Sequence, residues 1–286
     1  MTQFLQTLIF GLATGAVISV AAVGLSLSYG VTRFINFSYG ELLTIGAYVT
    51  AALVTQGLSL PLAAVLAMLA VGVLGVLLAR VFFDPLMKRG LLPLLVTSVG
   101  LAFVLQNLVQ MIAGSNPIRF PLPLLRPWIL GPIFVPKVPV LVIGVAMIAM
   151  LIVHGVLRYT LLGKMMRATS DNPMLARVSS IRTWHVLAIT WFLSSAVAAL
   201  GGVLLAMTQI SLQPVMGWSF LLVIFAAVLL GGIGSPYGAV LGALIVGLGI
   251  EFGATYVSAN YSHAFAFIIL VAVLLFRPQG LMGRAH

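Results

Sequence analysis

The sequence predicts an all-α fold, a polytopic integral-membrane bundle of eight or nine crossing helices with possible broken segments, and three observations predict it. Of 286 residues, 62% are apolar and only 6% are charged, whereas soluble domains carry about a quarter charged residues. The apolar residues gather in runs of roughly twenty, the length that spans a bilayer as a helix. Helices are the only form that satisfies every backbone donor and acceptor within such a segment. The third observation is charge: fourteen Lys plus Arg stand against four Asp plus Glu, a formal +10, and the cations fall in the connections between the runs.

The runs lie at 4–30, 35–56, 60–82, 91–113, 138–157, 184–210, 218–233, 237–257 and 262–276. The opening MTQFLQTLIFGLATG has no basic segment before its apolar run and no small-x-small cleavage site, so it reads as a first transmembrane helix and not a signal peptide. The run 218–233 is short, and a half-helix there reduces nine crossings to eight. What remains holds no soluble domain of ordinary size, so residues 1–286 form one transmembrane domain and any soluble partner is another chain.

Cation counting sets the orientation. Placing the connections of Arg33, of Arg80, Lys88 and Arg89, of Arg158 to Arg182, and of Arg277 and Arg284 in the cytoplasm puts eleven of the fourteen cations on that side. Arg119, Arg126 and Lys137 lie on the other, the bias of the positive-inside rule. Nine crossings then place the N-terminus outside and the C-terminus inside. Because the cations are spread over short loops without aromatic interleaving, nucleic acid is not the partner they point to. The chain has no cysteine, which excludes disulfides, thiolate metal sites and a cysteine nucleophile.

Two connections are long. Residues 114–137 contain six prolines and read as an external, extended or turn-rich loop. Residues 159–183 read as an inner loop in which Lys164–Arg167 and Met174–Arg177 form short amphipathic helices broken at Asn172-Pro173. Small residues recur at packing intervals, with Ala198, Gly202 and Ala206 four apart, as are Gly238 and Gly242, and Gly249 and Gly253. That spacing lets helix backbones approach closely. A weak internal echo links Tyr39-Gly40-Glu41-Leu42-Leu43 with Tyr237-Gly238-Ala239-Val240-Leu241, as in transporters with repeated broken helices.

Few residues carry chemistry. Asp84 and Asp171 lie in basic loops and read as solvated ion-pair partners. Glu41 and Glu251 lie inside apolar runs, where a carboxylate faces a water-filled path or the bundle interior; the alternative is a hydrogen-bonded glutamate joining two helices. Gln106, Asn107 and Gln110 form a polar cluster in the fourth run, for interhelical bonding or for lining a route. Gly231-Gly232-Ile233-Gly234-Ser235-Pro236 has no following Gly-Lys-Ser/Thr, so it is not a nucleotide loop. Asn116-Pro117 and Asn172-Pro173 sit in charged loops, unlike the Asn-Pro pairs of water channels, and the sequons at Asn36 and Asn260 read as chance. Ser219 and His263 lack the surroundings of a nucleophile and base, and no cluster has metal-ligand spacing. An enzyme is not expected.

Four ordered motifs resemble one family. Ile35-Asn36-Phe37-Ser38-Tyr39-Gly40-Glu41 followed by Ile45-Gly46-Ala47-Tyr48 is similar to INFAHGE…IGAY of the LivH-type permeases of branched-chain amino acid ABC importers. Gly163, Arg167, Ala168 and Ala176 match that family's G-x-x-x-RA…A. Leu230-Gly231-Gly232-Ile233-Gly234-Ser235 with Gly238 and Gly242 resembles LGGxGS…GAxxG, and Leu275-Phe276-Arg277-Pro278-Gln279-Gly280-Leu281 resembles LFRPQGLFG. Ser38-Tyr39 stands where the family has Ala-His, and Ser179-Ser180-Ile181 where Leu-Gly-Ile is common.

The resemblance implies a bacterial inner-membrane permease subunit that pairs with a second, homologous permease, with two cytoplasmic ATPase subunits and with an extracytoplasmic substrate-binding protein. This chain then binds no cofactor, and ATP is used by the partner subunits. Residues 159–183 become the coupling loop, with Gly163, Arg167, Ala168, Asp171, Ala176 and Arg177 at the ATPase; the competing reading is a membrane-surface helix held by anionic lipid. Asn36, Glu41, Gln106 and Asn107, with Glu251, are the candidates for the translocation path. Leucine, isoleucine and valine are the expected cargo, urea or short amides the alternative, and a stand-alone secondary transporter or channel using Glu41 or Glu251 the reading from another class.

Overall fold

The computed structural model describes residues 2–87, 89–122, 128–130, 133–258, 261–277 and 279–282. Lys88, Arg126, Arg284, Asn260, Pro278 and three loop prolines (Pro123, Pro127, Pro132) lie outside them, as does the side chain of His263. Eleven α-helices are described: α1 (Thr2–Thr32), α2 (Tyr39–Thr55), α3 (Leu60–Leu78), α4 (Leu91–Ala113), α5 (Lys137–Tyr159), α6 (Leu161–Asp171), α7 (Pro173–Val178), α8 (Thr183–Gln209), α9 (Met216–Gly231), α10 (Pro236–Tyr256) and α11 (Ser262–Phe276). Six are long and apolar enough to cross a membrane, and three shorter apolar helices accompany them in α2, α9 and α11. The chain is thus a polytopic helical membrane protein, with an apolar helix in each of the nine runs.

Local chemistry sets the boundaries. Positive-φ glycines, Gly90 at 99° and Gly114 at 82°, bracket α4, a backbone that glycine adopts without a Cβ penalty. Pro236 opens α10 behind Ser235, whose side chain accepts from Gly238 N–H, a pairing of N-cap and N1 proline. The chain departs from all-helical in two places. Residues 79–83 continue α3 as a π-helix, and two short strand pairs form, β1 (Ile118–Arg119) with β4 (Ser211–Leu212) and β2 (Trp128–Leu130) with β3 (Ile133–Val135). Proline lacks the N–H that a helix needs, and the described extended stretches of the proline-rich loop take strand partners instead.

Among the six long helices α1 and α8 are the most enclosed, 72% buried over their apolar windows, and α2, α3, α9 and α10 surround them. Van der Waals contact and hydrogen bonding, not expulsion of water, hold helices together in lipid, so contact depends on small residues. A Cβ on Gly202 would strike the Leu43 carbonyl, and one on Gly46 the Ala199 backbone. Gly40 and Gly217 face each other backbone to backbone, as do Gly231 and Gly238, while Gly242 meets Ala227 and Gly247 meets Gly15. Ala198 and Ala206 are wholly buried. The four-residue spacings therefore do what they predict, and Gly249 and Gly253 accommodate Ile269 and Phe265 of α11. Two buried hydroxyls bond to the backbone of a neighbouring helix: Tyr39 Oη donates to Ala21 O at 2.8 Å and Ser194 Oγ to Gly24 O at 2.8 Å.

The two glycine-rich motifs near the end of the chain form one structure. Leu281 and Met282 N–H donate to Leu230 and Gly231 carbonyls at 2.8 and 3.0 Å, filling acceptors that the end of α9 leaves unpaired. Gly280, at φ 77°, passes so close to Gly232 that a Cβ would stand 2.6 Å from its nitrogen.

Two outcomes follow from this packing. Gly202→Val should lower detergent-phase thermal stability by about 1–3 kcal/mol or more, whereas Gly144→Ala, with nothing within 4 Å of its Cβ position, should be neutral; fluorescence-detected melting of both compares them. Gly280→Ala should release the C-terminal segment, read as faster hydrogen exchange at Leu281 and Met282 with α1 and α8 still protected.

Candidate functional site

The first site is the opening of α2. Before it, Asn36 Oδ1 accepts from Ser38 N–H and Ser38 Oγ at 3.0 and 2.7 Å, an Asx turn that starts the helix. Phe37 N–H donates to Ser98 Oγ of α4 at 3.3 Å. One turn in, Thr44 Oγ1 accepts from Gly217 N–H at 3.0 Å, so the first turns of α2 and α9 meet inside the bundle. Glu41 lies in the first turn of α2 and is fully buried. Among the described residues neither of its carboxylate oxygens meets a donor in good hydrogen-bond geometry, the Thr44 hydroxyl being its side-chain neighbour, and Asn36 Nδ2 and Tyr48 Oη are likewise without a partner.

Helical phase orders these groups. Leu43 and Gly46 face α8, and Gly40 and Thr44 face α9. At about 100° per residue Glu41 and Tyr48 share a third face, and Phe37 at the start of the helix meets α4. On α4, Leu94, Ser98, Leu101, Ala102, Leu105 and Val109 form the buried stripe. Gln106 and Gln110 flank it half-buried, while Asn107 is exposed and bonds to its own helix at Phe103 O. Of the polar candidates only Asn36 and Glu41 are fully buried. Glu251 has another setting: its Oε1 accepts from Thr14 Oγ1 at 2.7 Å, and Thr7 bonds Thr255 nearby at 3.4 Å, so it joins α1 to α10. Tyr48 was missed by sequence reasoning, although its seven-residue separation from Glu41 carries the signal. An apolar cleft of about 110 Å³ reaches the chain on either side of Asn36, walled by Leu25, Tyr29, Ile35, Phe37, Phe225 and Val228 among others, with Asn36, Glu41 and Tyr48 not in its lining.

The second site is the connection between α5 and α8, which folds into α6 and α7 as the two amphipathic segments predict. Thr160 caps α6 by accepting from Gly163 N–H at 3.2 Å. Gly163 has no room for a Cβ against the Leu157 carbonyl, and Arg167 donates to that same carbonyl. Asn172 Oδ1 accepts from Met174 and Leu175 N–H at 3.0 and 3.1 Å, an N-cap followed by Pro173 at N1. Ala176 is buried, and Arg177 Nε donates to Thr183 Oγ1 at 3.2 Å. Ala168 is half-buried, and Asp171 is exposed at the end of α6. Asp84, in the neighbouring basic connection, has its carboxyl pushed up by burial, with the Arg80 guanidinium opposing.

Two features of this connection escape sequence reading. Ser170 Oγ donates to Gly30 O at 2.5 Å, and Arg33 Nη2 donates to Ser170 O at 2.7 Å, which staples α6 to the end of α1. Arg33 holds φ at 58°, a left-handed conformation uncommon for a residue with a Cβ. Beyond the staple, α7 leaves Met174 80%, Leu175 63% and Val178 84% exposed, an apolar surface on a six-residue helix flanked by cations.

Comparison with known proteins matches these motifs to one family. The family model described as branched-chain amino acid transport system / permease component covers residues 7–274. The chain is 30% identical to the high-affinity branched-chain amino acid transport system permease protein LivH of Salmonella typhimurium, over 98% of this chain and 96% of that one. It is 31% identical to the corresponding BraD protein of Pseudomonas aeruginosa over 99% and 96%. The ribose import permease protein RbsC of Escherichia coli is 30% identical over 90% and 81%. No solved structure matches the chain. With the family model spanning nearly all the helices and these relatives aligned almost end to end, the chain belongs to the branched-chain amino acid transport permease family.

Proposed function

We propose that this chain is the transmembrane permease subunit of an ATP-binding-cassette importer that carries branched-chain amino acids across the bacterial cytoplasmic membrane. It works as a transporter subunit and not as an enzyme, with ATP hydrolysis in two separate ATPases, a second permease beside it and a binding protein delivering the cargo. The observation that carries this reading is the connection between α5 and α8. A short helix with Met174, Leu175 and Val178 turned outward, at the end of the bundle that gathers the cations, is an apolar patch of the kind that seats a protein partner. Arg167, Asp171 and Arg177 supply the charged rim.

The staple gives the patch mechanical reach. Movement imposed on α7 passes through α6 to Ser170, and from Ser170 to Gly30 and Arg33 at the end of α1. Helix α1 is packed along α8 and α10, so a shift at this end is felt through the bundle. A coupling of this kind needs contacts that differ between two states, and nucleotide-driven closure of the ATPases would supply them. The cargo assignment rests on the relatives named for branched-chain amino acids at near full length. Glu251, already bonded to Thr14, offers little to a reading as a stand-alone ion-coupled carrier.

Two variant sets test the proposal. Met174→Asp and Val178→Asp should leave membrane insertion intact and abolish co-purification of the ATPases along with ATP-driven leucine uptake; unchanged co-purification would refute the docking assignment. Ser170→Ala with Arg33→Ala should keep the ATPases bound while lowering uptake per ATP hydrolysed by at least about tenfold, the effect of roughly 1.4 kcal/mol of lost coupling; an unchanged ratio would remove the staple from the coupling route.

A further inference from the structure

We infer that the opening of α2 recognises the α-ammonium group of an amino-acid cargo, with Glu41 as its counter-charge; the inference rests on the amino-acid reading above. Of the four acids in the chain, only Glu41 is fully buried. Glu251 has Thr14, Asp171 is exposed, and Asp84 lies beside Arg80 in a basic connection. A carboxylate enclosed among apolar helices is placed to pair with a cation or to line a path. Among the described residues no donor reaches either oxygen of Glu41 in good hydrogen-bond geometry, and Thr44 is its one side-chain neighbour with a hydroxyl to offer, so most of its acceptor capacity is open.

The neighbouring groups complement the rest of such a cargo. Asn36 is held through Oδ1 by Ser38, which fixes the amide and leaves Nδ2, a donor, buried and unpartnered. An amide donor of this kind suits a carboxylate oxygen. Tyr48 Oη, on the face of Glu41 and also unpartnered, adds a hydroxyl that can donate or accept. Ile35 and Phe37, on either side of Asn36, wall the apolar cleft, which suits a branched aliphatic side chain. One stretch of chain from Ile35 to Tyr48 thus offers an anion, a donor and an apolar wall, the three features that distinguish such an amino acid from a sugar or urea. Sites with buried polar groups discriminate strongly against ligands that leave them unpaired.

The experiment uses the purified permease–ATPase complex and measures binding of radiolabelled leucine, with two competitors that divide leucine into its parts. One is 3-methylbutylamine, which keeps the ammonium and lacks the carboxylate; the other is 4-methylpentanoate, which keeps the carboxylate and lacks the ammonium. Wild-type complex should bind leucine and release it to the amine but not to the acid. Glu41→Gln should weaken leucine binding by at least about tenfold, the loss of a charge-assisted hydrogen bond, and abolish competition by the amine. Glu41→Asp should restore part of both, and Glu251→Gln should behave as wild type. Unchanged leucine binding in Glu41→Gln, or equal competition by the acid, would overturn the inference and leave the amino-acid reading standing. Failure of the wild-type complex to bind leucine would overturn the amino-acid reading, and this inference with it.

Discussion

Close approach of helix backbones is the constraint on which the rest of the molecule depends. Among lipid chains an apolar side chain gains nothing by leaving its solvent, so helices stay together through van der Waals contact, backbone proximity and buried hydrogen bonds. The chain meets this condition with glycine and alanine where helices cross: Gly202 under Leu43, Gly46 against Ala199, Gly217 against Gly40 and Gly247 against Gly15. Those crossings fix where α2 starts, because the Gly40–Gly217 contact and the Tyr39 bond to Ala21 hold its first turn deep in the bundle. Glu41 is buried for that reason. Larger residues at the same crossings would move the helices apart and let water or lipid reach the carboxylate.

The same packing concentrates the functional parts at one end. Arg33 at the end of α1, the α6–α7 connection, the Gly231–Gly238 turn and the Gly280–Met282 segment are bound to one another through Ser170, Gly30, Leu230 and Gly231. Three of the four family motifs therefore meet the cation-rich end as packing elements, while the fourth, Ile35–Glu41, rises from it into the interior. A displacement at α7 has a short route through Ser170 to α1, and α1 is bonded to the start of α2 through Ala21 and Tyr39. The α6–α7 connection proposed for coupling and the cargo station proposed at Glu41 are joined by named hydrogen bonds and by the helix between them.

Much of this was legible before any coordinates. Apolar run lengths placed nine helices within a few residues of their ends, because in lipid the span itself dictates length. Local cap chemistry located α6 and α7: Asn172-Pro173 is a helix start whatever surrounds it. The described residues between Gly114 and Pro136 form no helix, as six prolines in that stretch predict, although the pairing of Ile118–Arg119 with Ser211–Leu212 joins segments too distant for any local rule. The π-helical continuation of α3, the docking of Leu281 on α9 and the Arg33–Ser170 staple were hidden for the same reason. Gln106, Asn107 and Gln110 read as one cluster, but small differences in helical phase separate them, with Asn107 on the outer face. Phase relative to a neighbour is a tertiary quantity, and the sequence of α4 alone does not contain it.

Under the proposed function this chain moves cargo only as part of an ATP-driven assembly. Uptake of radiolabelled leucine into proteoliposomes tests it directly, comparing this chain alone, under a proton or sodium gradient, with the complete set of two permeases, two ATPases and binding protein supplied with ATP. Leucine should accumulate in the complete set with ATP and not with the chain alone under either gradient. Gradient-driven accumulation by the chain alone would contradict the proposed function.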